Sequence, residues 1–411
     1  MIQKSFRHRL TGMFGNLLEH YDSALFGLLA PFIAPLFFAE KDPISALILT
    51  YAIIPLGFIT KPLGSVFFGW IGDRLGRRHA LCGSLFGMAI VTIGTGFLPV
   101  FKDVGAWAPV FLGLARMLQS FFAAGESAGG AIFVLEHTTH SKRSFLSGFY
   151  DSTSVGGVLL ASLCITILSA TGNITEGWRA LFWAGGLTAL CGIFLRLKAT
   201  EGPEFVQPKK VDSGFRALKE NKQAFFSIVL VSGFSYTTYS LAFTLMNGYV
   251  PLVTHFTKTD VMQVNSVLLV FDLLLLPFFG YLADKIGKEK VMLAGSLSAV
   301  ILAIPLFSIL NHASLFTVIA VRFSIVVCGV AFAAPYYAWA IEKVPSQHRY
   351  LFLSLGAAFG SQLIGHPTSF VCLWLYKTLG WCGAPALYLL IVGGAAAFIV
   401  RKKPVSARQL S

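Results

Sequence analysis

Apolar residues in this chain run in long stretches separated by short polar turns, and the alternation repeats from one end to the other. A helix rises about 1.5 Å per residue, so about 20 apolar residues cross a hydrocarbon core roughly 30 Å thick. Windows of that kind fall near 14–38, 49–72, 79–99, 106–136, 146–170, 178–197, 224–250, 262–284, 290–310, 315–340, 350–376 and 382–400. The pattern predicts an all-α membrane protein of twelve transmembrane helices. The longest interruption is the charged stretch 198–223, which divides the chain into a half at 1–197 and a half at 224–411 with a cytoplasmic linker loop between them. The first window follows Lys4, Arg7 and Arg9 but is too long for a signal-peptide core, and it is expected to be retained.

Composition narrows the class. With 55% hydrophobic and 12% charged residues, the chain departs from a soluble domain, where roughly 25% are charged. A net charge of +13 would suit nucleic acid, so the positions of the cations decide. Assigning alternate loops to opposite sides puts 24 of the 32 lysines and arginines on the side that holds both termini, and only Lys41, Lys102, Arg179, Lys258 and Lys377 on the other. That is the positive-inside bias, with both termini cytoplasmic, and it accounts for the charge without any nucleic-acid partner. The six cysteines, Cys82, Cys164, Cys191, Cys328, Cys372 and Cys382, stand singly in apolar sequence and read as buried thiols. No G-x-x-x-x-G-K-[ST] run, no H-E-x-x-H pair and no concentrated catalytic set occurs, so neither an enzyme nor a cofactor or metal is expected.

Inside the chain a motif occurs twice. Gly69-x-x-x-Asp73-Arg74-x-Gly76-Arg77-Arg78 follows the second window, and Gly280-x-x-x-Asp284-Lys285-x-Gly287-Lys288 follows the eighth. Two six-helix halves in parallel orientation are the simple reading, and such repeats frame a binding site near the midplane. Glycines allow a tight turn and close helix approach, while Asp73 with Arg74, Arg77 and Arg78 can bridge helix ends and gate one face. The run resembles the signature of the major facilitator superfamily. Within it, Gly15-Asn16-Leu17-Leu18-Glu19-His20-Tyr21-Asp22 is similar to the G-N-x-x-E-W-Y-D of the metabolite:proton symporters, which include proline/betaine and α-ketoglutarate permeases. Arg116-Met117-Leu118-Gln119, Gly125-Glu126 and Gly129-Gly130-Ala131 match their fourth span, with further matches at Gly177-Trp178-Arg179, Glu201 to Phe205, and Pro345 with Arg349-Tyr350. The resemblance implies a multi-pass protein of the bacterial inner membrane, a monomer that moves a small solute with protons. There are departures. Lys61-Pro62-Leu63-Gly64 replaces a usual R-P-x-G, His20 replaces Trp, and only about eleven residues follow the last window, so the coiled-coil extension of the osmosensing type is not expected.

A lone charge at the bilayer centre costs about 2.5 to 3.5 kcal/mol, so each one inside a span needs a partner, a wet cavity or a role. Asn16, Glu19 and Asp22 are spaced by three and are expected to share one helical face, as are Arg116, Gln119, Ala123 and Glu126. Both stripes are expected to line one cavity, with Lys61 and Arg116 holding a substrate carboxylate and Glu19, Asp22 or Glu126 carrying the proton. Asp272 lies 211 residues after Lys61, with Arg322 as its expected partner; Asp151 is expected to pair with a loop arginine at the cytoplasmic gate, and His366-Pro367 to break the eleventh span. Structural ion pairs are the rival reading of the charges. A proton-coupled exporter or exchanger, or a non-transporting nutrient sensor, is the rival function.

Overall fold

The computed structural model describes residues 2–39, 42–75, 77–124, 135, 142–197, 218–344 and 349–401, with side chains left aside at 2–15, 18, 69–70, 72–75, 77–78, 80–81, 188–189, 191–197 and 349–350. The described residues form helices and no strand, and each predicted window holds helix where it is described. Among the described residues, six stretches are long and apolar enough to cross a membrane: Pro43–Phe68, Arg143–Ala170, Lys222–Val253, Lys258–Ile286, Lys288–Ser308 and Leu315–Glu342. Others are too short for that test, such as Ala386–Arg401 at 16 residues. Large apolar side chains point outward along many of these rods; Phe316 is 81% exposed and Ile391 73%, a surface that water would penalise and acyl chains would not.

Small and hydroxyl residues hold the helices of residues 1–197 against one another and against those of residues 224–411. A Cβ on Gly157 would lie 2.0 Å from the Leu17 carbonyl oxygen, which lets the Arg143–Ala170 helix touch the Ile2–Phe37 helix backbone to backbone. On another face of the same helix, a Cβ on Gly148 would meet the Leu276 oxygen at 2.3 Å, and one on Gly280 would meet the Ser144 oxygen at 2.4 Å. Lipid tails are as apolar as leucine, so helices in a membrane gain by such close packing and by hydrogen bonds across the contact. Both occur here. Asn16 donates to Thr153 and Ser154 at 2.9 and 2.8 Å, and Ser162 shares hydrogen bonds with Ser266 and Asn265 across the halves at 2.8 and 3.1 Å.

Two rods of the second half carry a π-helical turn, Ser240–Leu245 and Ser361–Gly365. The second directly precedes Pro367. Proline has no N–H and its ring crowds the preceding turn, so the helix widens and His366 N–H bonds back to the Ser361 carbonyl at 2.7 Å. A break at His366-Pro367 is therefore observed. In the first turn the loosened carbonyls find side chains: Arg322 bonds Ala242 O, and Tyr51 bonds Thr244 O at 2.8 Å.

Candidate transport cavity

Helices from residues 1–197 and from residues 224–411 together enclose a cavity of about 170 Å³. The Ile2–Phe37 helix contributes Asn16, Glu19 and His20; the Gly57–Leu75 helix contributes Lys61; the Trp107–Ala123 helix contributes Arg116 and Gln119. Tyr236 and Tyr239 enter from the second half, and the widened turn at Pro367 brings in Gln362 and His366.

Lys61 lies within the electrostatic reach of Glu19 and Arg116, and among the described residues its ammonium takes part in no hydrogen bond or ion pair. Arg116 is more constrained. Its Nη1 bonds Gln119 Oε1 at 2.5 Å, its guanidinium stacks over Phe26 at 4.8 Å, and its Nε has no partner among the described residues. Gln119 then reaches Thr92 Oγ1 and the Asp22 carbonyl, both at 3.4 Å. A cation held by one neutral side chain and one ring keeps donors available to an anion.

Several expectations need correction. Asp22 and Tyr21 do not line the cavity. Asp22 turns into the first half, where Thr92 donates to it at 3.4 Å and Gly185 makes room for it: a Cβ there would lie 2.2 Å from its Oδ1. Tyr21 donates to the Leu181 carbonyl at 3.3 Å. The reason is helical phase. At about 3.6 residues per turn, each step of three falls roughly 60° short of a full turn, so Asn16 to Asp22 drifts by roughly 120°. On the fourth-window helix, steps of three and four cancel, and Arg116, Gln119 and Ala123 do stay together.

Arg322 is not the partner of Asp272. It is fully buried and bonds the Ala242 carbonyl at 3.2 and 2.9 Å, Val261 O at 3.1 Å, Asn247 Oδ1 at 3.2 Å, and Asn265 Oδ1. Asp151 pairs with no arginine among the described residues and instead faces, with Asp272, a second lobe beside the cavity. Glu126 and Gly76 lie outside the described residues, as do the side chains of Asp73, Arg74, Arg77 and Arg78; Gly69 stands on the Gly57–Leu75 helix. The residues that sequence reasoning missed are the tyrosines 236, 239, 336 and 337. Their only signal was a phenol in an otherwise apolar window.

Family models agree with this architecture. "Sugar (and other) transporter" matches residues 9–214, half of the chain, and "Major Facilitator Superfamily" matches residues 228–411. The chain belongs to the major facilitator superfamily. Among its curated relatives, the proline/betaine transporter of Escherichia coli K12 is 28% identical over 92% of this chain and 79% of its own. A putative proline/betaine transporter of Staphylococcus haemolyticus is 31% identical over 92% and 83%. The glycine betaine/proline/ectoine/pipecolic acid transporter of Dickeya dadantii is 29% identical over 92% and 79%. The crystal structure of the D-xylose-proton symporter shares the fold, with a TM-score of 0.74 at 17% identity over 98% of each chain. The protein is thus a multi-pass membrane transporter of the superfamily and not an enzyme.

In this major facilitator chain both ends of the seam between the halves are bonded. At one end of the Lys258–Ile286 helix, Asp284 accepts the N–H groups of Ser144 and Phe145, each at 2.9 Å, and so caps the Arg143–Ala170 helix of the other half. This explains the second motif copy physically. Gly280 lets the two helices touch, Asp284 caps, Lys285 lies over the Tyr281 ring at 4.6 Å, and Gly287, at φ +102°, ends the helix in a conformation only glycine adopts freely.

At the other end, Lys258 donates to the Pro31 carbonyl at 2.5 Å, and Lys377 pairs with Asp42 at 2.8 Å and also contacts Ser45. The Lys377 ammonium, then Ser45, hold the Asp42 carboxyl down at about 2 from its usual 3.8. The pair is therefore complete above about pH 4 and weakens only as pH falls towards 2. Acidification to pH 5 should leave this latch shut. Lys377→Ala should open it: a cysteine placed at Ser154 should react faster with a membrane-impermeant maleimide added from that side, at pH 5 and pH 7 alike. Equal labelling of variant and parent would remove the latch.

Proposed function

We propose that this transporter carries a small organic acid or zwitterion across the cytoplasmic membrane by proton-coupled symport, with twelve spans, both termini cytoplasmic and two six-helix halves that rock as a monomer. The observation that carries the reading is the cavity, where Lys61 and Arg116 face Glu19 among neutral polar and apolar side chains. Cations of that kind select a carboxylate, and a carboxylate residue among them can hold a proton whose affinity changes when an anion arrives. The relatives' printed substrates, proline and betaine, both carry a carboxylate and support the same class. Asp284 on the cytoplasmic side and the Asp42–Lys377 pair on the outer side would act as alternate gates, one released while the other holds. A potential of about 100 mV on one net charge supplies roughly 2.3 kcal/mol, enough for accumulation of about 50-fold.

The test is uptake into proteoliposomes with an imposed gradient, acid outside, using labelled glycine betaine, proline and 2-oxoglutarate. At least one should accumulate above equilibrium, and an uncoupler should abolish the accumulation. Uptake indifferent to both would remove proton coupling.

A further inference from the structure

The second lobe, of about 150 Å³, shares with the central cavity a wall that includes His20, Ser154, Tyr236, Tyr239 and Tyr337, so the two spaces adjoin. Their balance of charge differs. The cavity holds Lys61 and Arg116 with Glu19; the second lobe holds Asp151 and Asp272 and, among the described residues, no lysine or arginine. Asp272 is only 4% exposed, and its Oδ2 has no hydrogen-bond partner among the described residues. Neither Asp151 nor Asp272 forms an ion pair among the described residues. Two carboxylates facing one low-dielectric space leave it short of positive charge, and a buried charge without a counter-charge is costly.

The rest of the wall says what kind of cation fits. Tyr236, Tyr239, Tyr336 and Tyr337 line the lobe, and the rings are held in place: Tyr337 lies 4.9 Å from Tyr336 and 5.9 Å edge-on from Tyr150, and Ser147 accepts its backbone N–H at 3.2 Å. The Tyr239 hydroxyl is buried with no partner. Hydroxyls of Ser232, Ser235 and Thr238 and aliphatic side chains such as Val155, Ile325 and Val330 complete the lining, and among the described residues no three His, Cys, Asp or Glu side chains gather as a metal site. A bare metal ion needs a shell of oxygens and gains nothing from methyl groups or ring faces. An alkylated ammonium gains from both, because its charge is spread over carbons that pack on apolar wall while ring faces and carboxylates attract it.

We propose that this lobe seats the cationic nitrogen of the cargo, with Asp272 and Asp151 on the alkylated ammonium and Lys61 on the carboxylate, so that the solute is a small N-alkylated amino-acid zwitterion and not a dianion. The assignment rests on the central-cavity reading above, which allows either class. The second carboxylate of a dianion would have to enter a lobe that already holds two. Asp272 is buried near the centre of its helix and Asp151 is half-buried, so Asp272 makes the larger contribution.

A pair of isosteric probes tests this on the purified full chain by calorimetry. Glycine betaine and 3,3-dimethylbutanoate have the same shape and carboxylate and differ only in whether a nitrogen cation or a neutral carbon carries the methyl groups. The parent should bind glycine betaine at least about tenfold more tightly than 3,3-dimethylbutanoate. Asp272→Asn should bring that ratio close to one while leaving 3,3-dimethylbutanoate affinity within about threefold, which also shows that the variant is folded. Asp151→Asn should reduce the ratio less. The proposal is overturned if the parent does not distinguish the probes, if the ratio survives both substitutions, if neither glycine betaine nor proline binds, or if 2-oxoglutarate binds more tightly than both. If the ratio behaves as stated but Lys61→Ala leaves both affinities unchanged, the failure belongs to the central-cavity reading and not to the ammonium lobe.

Discussion

Lys61→Ala is expected to weaken solute binding by roughly tenfold to a hundredfold, the equivalent of one charge-assisted hydrogen bond worth about 1.5 to 3 kcal/mol, without unfolding the protein. The second half of that expectation is what makes the first informative. Among the described residues the ammonium holds no hydrogen bond and no ion pair that its removal would orphan, and the side chain lines open space. Pro62 and Gly64 shape the local helix without it: a Cβ at Gly64 would come 2.0 Å from the Phe121 carbonyl, so the backbone there is already packed against the Trp107–Ala123 helix. Lys61→Arg should recover part of the affinity, since the charge returns with a different fork. Glu19→Gln should behave differently, keeping binding while losing pH-driven accumulation, because the amide preserves shape but cannot take the proton. Calorimetry and proteoliposome uptake read the two effects separately. An unchanged affinity in Lys61→Ala would sink the assignment of the carboxylate site.

Arg322→Lys is expected to fail more severely, and in folding rather than in transport. The guanidinium is fully buried and no carboxylate is among its partners; it lies amid backbone carbonyls and asparagine oxygens that only a five-donor fork can serve together. An ammonium has three donors and no plane, so the Ala242 carbonyl of the π-helical turn or one asparagine loses its donor. A buried charge deprived of partners costs about 3 to 5 kcal/mol, and each abandoned carbonyl costs about 1 to 3 more. Arg322→Met removes the charge but strands the same oxygens. Both variants should lose monodisperse protein on gel filtration and melt well below the parent. A melting temperature within about 2 °C of the parent for Arg322→Lys would refute this reading of the residue.

Much of the site was legible because charge inside apolar sequence is rare enough to stand out. Glu19, Lys61 and Arg116 stand out on that ground and Gln119 by its spacing from Arg116, and the structure brings them to one cavity. Asp22 was chosen on the same ground and faces elsewhere, since membership of a stripe spaced by three decays over two steps. The cost of a lone charge in a bilayer pairs Arg322 with Asp272 on sequence grounds. Arg322 finds carbonyls instead, which a sequence cannot show because every residue has one and only the folded chain brings those of Ala242, in the widened turn, and Val261 to the guanidinium. Tyrosines were overlooked for a related reason: a phenol tolerates lipid, interface and cavity alike, so its presence in a window does not say which it meets.

Taken alone, the sequence determined that the chain is helical, apolar enough for a bilayer, internally repeated and sparing with charge, because these follow from residue type and from spacing along one rod. The folded arrangement decided which of the rare charges face common space, that Asp151 and Asp272 occupy a lobe adjoining the one that holds Lys61, Arg116 and Glu19, and that Asp284 caps the Arg143–Ala170 helix. Those outcomes depend on the rotation of each helix about its own axis and on where a π-helical turn or proline resets that rotation. Neither is encoded in a single segment. Both are settled only when glycines such as Gly148, Gly157 and Gly280 let neighbouring backbones come into contact.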